Sequence, residues 1–269
     1  MLRPAQPPDL RPVLHAQHSL PPWLARAKGL QEAGQNSVAA LWSVFSCRRQ
    51  RRSLERCAAV RFELDCAPVR NFPSFRGQRN FPGLWWFATT GTHVGHESWV
   101  ERDQLMALDA DPDVVGVLSQ PFWFHWPDGS RHAPDYFVRH RDGSAVVVDV
   151  REDERISVGD QKVFDRSAAA CAMVGWDYRR VGALNPVLRA NLRWLSGYRH
   201  PRVLRVGLAE QLTEVFTRAR PLMAGVRAVG TPLVVLPVLF HLLWQGCLAA
   251  DLRDAPLGDD TLIGLGAGW

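Results

Sequence analysis

The chain of 269 residues is 46% hydrophobic and 22% charged, with a formal net charge of +5. Those proportions belong to a globular protein of one large domain or two smaller ones with an ample core. The longest apolar run, 233–244, is interrupted by Pro237 and His241 and falls short of the roughly 20 residues that span a bilayer.

No basic segment followed by an apolar stretch opens the chain, so no secretory signal is expected. The five cysteines, Cys47, Cys57, Cys66, Cys171 and Cys247, lack the paired spacing of a zinc knuckle; reduced thiols in a cytoplasmic protein are expected. Positive charge is concentrated at the front: residues 1–90 carry 13 Lys+Arg against 5 acids, and residues 91–200 carry 13 against 16. Arginine supplies 30 of the 32 basic side chains, and its planar fork suits phosphate.

Residues 1–57 are expected to be a poorly ordered, basic, Pro-rich extension. Pro4, Pro7, Pro8, Pro12, Pro21 and Pro22 break regular structure, and only 37–45 has the pattern of a short helix. The run CRRQRRSLERC that follows is either a phosphate-binding patch or a solvated stretch, and charge blocks are more often the latter. Between residues 70 and 87, Phe72, Phe75, Phe81, Trp85 and Trp86 interleave with Arg76 and Arg79. Such a pattern can stack bases, although Pro73 and Pro82 favour an irregular segment wrapping the core.

From His96 the pattern turns helical. Trp99, Leu105, Met106 and Leu108 recur near helical spacing, with Glu101 in the middle and Glu97 one turn earlier on much the same face. Strands are expected at 114–118, 122–126, 136–140, 145–150 and 177–181, and helices at 161–173 and 187–195. Residues 58–200 therefore predict an α/β fold, a mixed central sheet flanked by helices. Residues 201–269 predict a small, mainly helical unit. One helix carries Leu208, Leu212, Val215 and Phe216, a second spans 221–229, and a third opens at Thr231-Pro232. Segments 248–252 and 262–265 could form a wing.

Chemistry concentrates in HESWVERD, HAPDYFV and AVVVDVR, which supply Glu101, Asp135, Asp149 and Arg151. Magnesium requires hard oxygen ligands, and phosphodiester cleavage requires positive charge near the phosphorane, so acids and one cation must converge. Strand alternation puts Asp149 and Arg151 on one face. Asp135 joins them only if it lies across from Asp149. A two-residue turn at Asp142-Gly143 would pair it with Val150, whereas a three-residue loop, 141–143, with a left-handed glycine pairs it with Asp149. An acid in an apolar strand is costly unless paired or metal-bound, so the bland alternative for Asp149 is a buried salt bridge with Arg151 or another arginine. Asp135 could be an ordinary strand-start acid, and Glu97 and Glu101 surface acids.

The stretch 62–202 resembles the TnsA-like endonuclease subunits of heteromeric transposases, within the PD-(D/E)XK restriction-endonuclease-like superfamily. The matching features are HESWVERDQLMALDADPDVVGVLSQPF, then APDYFV, then VVVDVR. The resemblance implies that Glu101 is the helical glutamate, Asp135 the Pro-Asp aspartate, and Asp149 and Arg151 the (D/E)-x-K pair. It implies that Glu101, Asp135 and Asp149 bind Mg2+ or Mn2+. It further implies a cytoplasmic DNA endonuclease that cuts the 5′ ends of a mobile element, with a partner transposase subunit for the 3′ ends and an ATPase regulator. The C-terminal unit resembles the winged-helix portion of that family. Its presumed recognition helix, PLVVLPVLFHLLWQG, offers only His241 and Gln245 as polar side chains, so docking to protein, or a plain core role, fits it better than base reading.

Arg151 departs from the usual lysine. It can hold a phosphate but cannot act as a base; Lys162 on the next helix is either a migrated lysine or a solvated residue. Two other readings remain: a catalytically silent adaptor for DNA or a partner, and a stand-alone restriction or repair nuclease.

Overall fold

The computed structural model describes residues 40–45, 48–70, 72 and 81–266. They fall into two compact units, one containing residues up to Asp109 and Asp113–Leu184, the other Ala110–Pro112 and residues from Asn185 onward. Among the described residues no helix is long and apolar enough to cross a membrane.

In the first unit, β1 (Ala40–Phe45) and β2 (Arg48–Arg52) form an antiparallel pair, followed by α1 (Leu54–Cys57), α2 (Phe62–Asp65) and β3 (Cys66–Ala67). This corrects two expectations. The segment expected as a short helix is a strand from Ala40, and Arg48–Arg52 of the run after it, within the stretch expected to be poorly ordered, is a paired strand. Trp42, Val44 and Phe45 are strand formers, and β1 finds its partner 77 or more residues later in β7 (Phe122–His125), a pairing that no local pattern reveals. Residues 1–39, and the aromatic and arginine positions within 73–80, lie outside the described residues.

The hairpin of β4 (Gly83–Phe87) and β5 (Thr92–His96) precedes α3 (Trp99–Asp109). His96 thus ends a strand instead of opening a helix, and Glu101 lies in the first turn of α3, not its middle. Then come β6 (Val114–Ser119), β7, β8 (Arg131–His132), β9 (Tyr136–His140), β10 (Ala145–Val150), α4 (Val158–Met173) and β11 (Asp177–Val181).

A four-stranded mixed sheet in the order β11-β10-β9-β6 carries the unit, with β10 and β11 parallel and the other pairings antiparallel. The parallel pair needs a crossover, which α4 supplies. Ser157 starts that helix with a capping box: its side chain accepts from Asp160 N, while the Asp160 carboxylate accepts from Ser157 N. Both sheet faces are covered, which is why AVVVDV reads as a nearly continuous apolar run. Phe137, Ala145 and Val147 pack with Phe62, Phe122, Phe124, Cys171 and Trp176. Tyr136, Val138, Val146 and Val148 pack with Leu105 of α3 and with Phe87 and Val94 of the hairpin.

The second unit contains α5 (Pro186–Leu195), α6 (Val206–Val215), β12 (Arg220–Pro221), α7 (Leu222–Val229), α8 (Pro232–Trp244), β13 (Leu248–Ala249) and β14 (Leu262–Leu265). The helix expected to close the first unit therefore opens the second. Seven consecutive residues of α8, Val238 to Trp244, are buried, so this helix is the core of its unit. His241 is accommodated there by donating from Nδ1 to the Tyr198 carbonyl at 2.7 Å. The two segments expected to form a wing pair antiparallel as β13 and β14, with β12 on the other side of β14.

Candidate acidic site

The turn between β9 and β10 sets the site. His140 N donates to Ser144 O, Gly143 N donates to His140 O, and Gly143 has φ 87°, the left-handed conformation that favours glycine. The resulting register pairs Val148 with Tyr136 and Val146 with Val138. Continued by one residue, it sets Asp149 opposite Asp135, the arrangement that the three-residue loop requires.

Asp149 shares a face with Val147 and Ala145, toward α4, and is 2% exposed. Its carboxylate lies 3.0 and 2.9 Å from His132 Nε2 through its two oxygens, and Tyr178 donates its hydroxyl to Oδ2 at 2.6 Å. A carboxylate only accepts, so the proton of His132 sits on Nε2. Burial, the Asp149 charge and this hydrogen bond all push the Tyr178 hydroxyl far above the usual range, which keeps it a donor. The buried acid is thus satisfied, though not by an arginine as the salt-bridge alternative supposed. His132 and Tyr178 were missed from sequence. The available clue was that a buried carboxylate demands donors, and His132 stands three residues before Asp135.

Asp135 follows buried Pro134 at the edge of β9. Its Oδ2 accepts from Val150 N at 2.7 Å, tying the start of one strand to the end of the next. Burial raises its pKa well above the ordinary carboxylate value, and the charges of Asp149 and then Glu101 raise it further, against the Val150 bond. The Glu101 charge acts on it from α3, which packs on the other face of the sheet from Asp149. Asp135 therefore sits where acids from both faces act on it.

Glu101 also has local work. Its Oε1 accepts from the Ser98 hydroxyl at 2.8 Å and its Oε2 from Glu97 N at 2.7 Å, while Glu101 N donates to Ser98 Oγ at 3.2 Å. Ser-x-x-Glu is a helix-start signature, legible in SWVE, that sequence reasoning passed over. Burial raises the Glu101 pKa; the Glu97 charge adds to this, while its hydrogen bonds and the Arg70 charge oppose it. Arg70 holds Glu97 at 2.8 Å.

Arg151 pairs with Asp160 of α4 and not with Asp149. Its Nη2 lies 3.5 Å from Asp160 Oδ2, and its side chain is 46% exposed. Lys162 is exposed on α4.

The donors are hard carboxylate oxygens, and the repulsion focused on Asp135 is of the kind a divalent cation relieves. The fit is one of charge rather than of assembled geometry. Among the described residues no three His, Cys, Asp or Glu side chains meet as a metal-binding group. The sequence matches no protein-family model and no curated protein.

Proposed function

We propose that the chain is a magnesium-dependent DNA endonuclease subunit with a restriction-endonuclease-like core and a winged-helix-like C-terminal unit. On this reading it works with a partner transposase subunit and an ATPase regulator at the 5′ ends of a mobile element. The observation that carries the reading is Asp135, set opposite Asp149 by the β9–β10 register, with a pKa raised by burial and then by the charges of Asp149 and Glu101. Structural ion pairs place opposite charges together; here the like charges of Asp149 and Glu101 both bear on Asp135, which favours a metal site.

Asp135, Asp149 and Glu101 would hold the ion, which when bound supplies Lewis acidity and an activated water. Arg151 contributes no base; turned from Asp160, its fork holds the scissile phosphate. His132 and Tyr178 fix the Asp149 carboxylate from its protein side, as outer partners of metal ligands do. The test is nicking of end-bearing DNA with partners present. Wild type should nick and Glu101→Ala should not; equal nicking by both would remove the helical acid from the site.

One observation favours a second reading, a silent adaptor that retains the fold for DNA or partner binding. Asp149 is already satisfied by His132 and Tyr178, with no ligand set assembled around it. Calorimetric titration with magnesium separates the two. Heat from wild type that Asp135→Ala abolishes supports the enzyme, and no heat from either supports the adaptor.

A further inference from the structure

We infer that the exposed face of α5 in the C-terminal unit binds the phosphate backbone of duplex DNA. This rests on the DNA-acting reading above but concerns binding alone, and its residues are separate from the acidic site. Residues 185–209 hold five arginines, Arg189, Arg193, Arg199, Arg202 and Arg205, and no Asp or Glu. Such a stretch cannot neutralise itself, and the helix concentrates part of it on one side. Arg189 and Arg193 are four residues apart, hence neighbours on the helix surface, and both are exposed. Asn191, Leu192 and Leu195 are buried on the opposite side.

The two arginines and Trp194 line an open groove floored by Pro186 and Ala190. Trp194 is 57% exposed, yet its ring is braced edge-on against Phe240, with centroids 6.0 Å apart. A rigid, half-exposed indole between guanidinium forks is a surface that fits a sugar-phosphate chain. The Arg189 side chain has no ion pair or hydrogen bond among the described residues, and neither do the exposed side chains of Arg202 and Arg205.

Placement of the acids agrees. Asn191 donates to the carbonyls of Leu252 and Ala255 and accepts from Leu257 N, so the loop bearing Asp251 and Asp254 is fastened to the buried side of α5. The DNA contact thus falls on α5, while the second half of α8, the presumed recognition helix, is buried from Val238 to Trp244.

The test uses the full chain and a short DNA duplex labelled for anisotropy, in chelator, so that no cleavage enters the result. Affinity is followed between about 0.05 and 0.2 M salt. Arg189→Ala/Arg193→Ala should flatten the slope of log affinity against log salt by about 2 and weaken binding roughly 30-fold near 0.15 M, the effect of two lost phosphate contacts. Arg189→Lys/Arg193→Lys should keep the slope. Arg218→Ala/Arg227→Ala removes the same charge elsewhere on the unit and should change neither quantity. An unchanged slope in the first variant, equal loss in the last, or no duplex binding by wild type overturns the inference. So does equally tight binding of polyglutamate, which would assign the face to an acidic protein partner. Loss of nicking with this salt dependence intact would instead count against the nuclease reading alone.

Discussion

His132 and Asp149 meet with the imidazole Nε2 within 3.0 Å of both carboxylate oxygens, and Tyr178 closes the arrangement from β11 at 2.6 Å. One buried acid from β10 is thereby shared among three elements. Tyr178→Phe leaves a buried acceptor short of a donor, so it should lower stability by about 1–3 kcal/mol. Urea unfolding checks this: the midpoint should fall while the slope stays constant.

Asp135 and Glu101 make stability depend on pH. Both have folded pKa values raised above their ordinary ones, so the folded state holds their protons more tightly than the unfolded state. Their contribution to stability is therefore complete below the ordinary carboxylate pKa and declines as pH rises toward the folded values. Asp135→Asn should be more stable than wild type at neutral pH, with the difference vanishing in acid. Thermal melts across pH 3–7 measure it, and a constant difference over that range would contradict the like-charge account.

Ser98 and Glu101 allow the helix start to be separated from the chemistry. Ser98→Ala should cost about 1 kcal/mol by loss of the cap yet leave nicking at the wild-type level. Glu101→Gln keeps an acceptor for Glu97 N and removes a charge that burial disfavours, so it should melt no lower than wild type at neutral pH, while nicking falls roughly 100-fold or more through loss of metal affinity. The two variants together report whether Glu101 is more than a capping residue.

Gly143 holds the register on which the site depends. Its φ of 87° is costly for a side chain with a branched Cβ, so Gly143→Val should destabilise by about 1–2 kcal/mol. Nothing lies within 4 Å of a Cβ at this position, so the cost comes from backbone conformation and not from a clash. Gly143→Asn should recover much of it, because asparagine tolerates the left-handed region. Differential melting of the pair tests the assignment.

Strands β9, β10 and β11 were legible to the residue, because short apolar, β-branched and aromatic runs and the Asp142-Gly143 turn are local signals. The juxtaposition of Asp135 with Asp149 followed from counting residues around that turn. What was not legible depends on distant partners. The pairing of β1 with β7 is one case, and the donors that reach Asp149 from residues 132 and 178 are another. Glu101 was placed in mid-helix because the apolar spacing of HESWVERD extends upstream of the true start, while Ser98, which fixes that start, was overlooked.

Asp160 serves two elements with one oxygen. Its Oδ2 accepts from Ser157 N at 2.9 Å and from the Ser157 hydroxyl at 2.8 Å, and only a looser 3.5 Å contact reaches Arg151. If Arg151 swings away, α4 keeps its first turn intact, because the anchor of that turn never relied on the guanidinium. An exposed ion pair of that length contributes little. The arm is parked rather than locked, and an arriving anion could recruit it without disturbing the scaffold beneath.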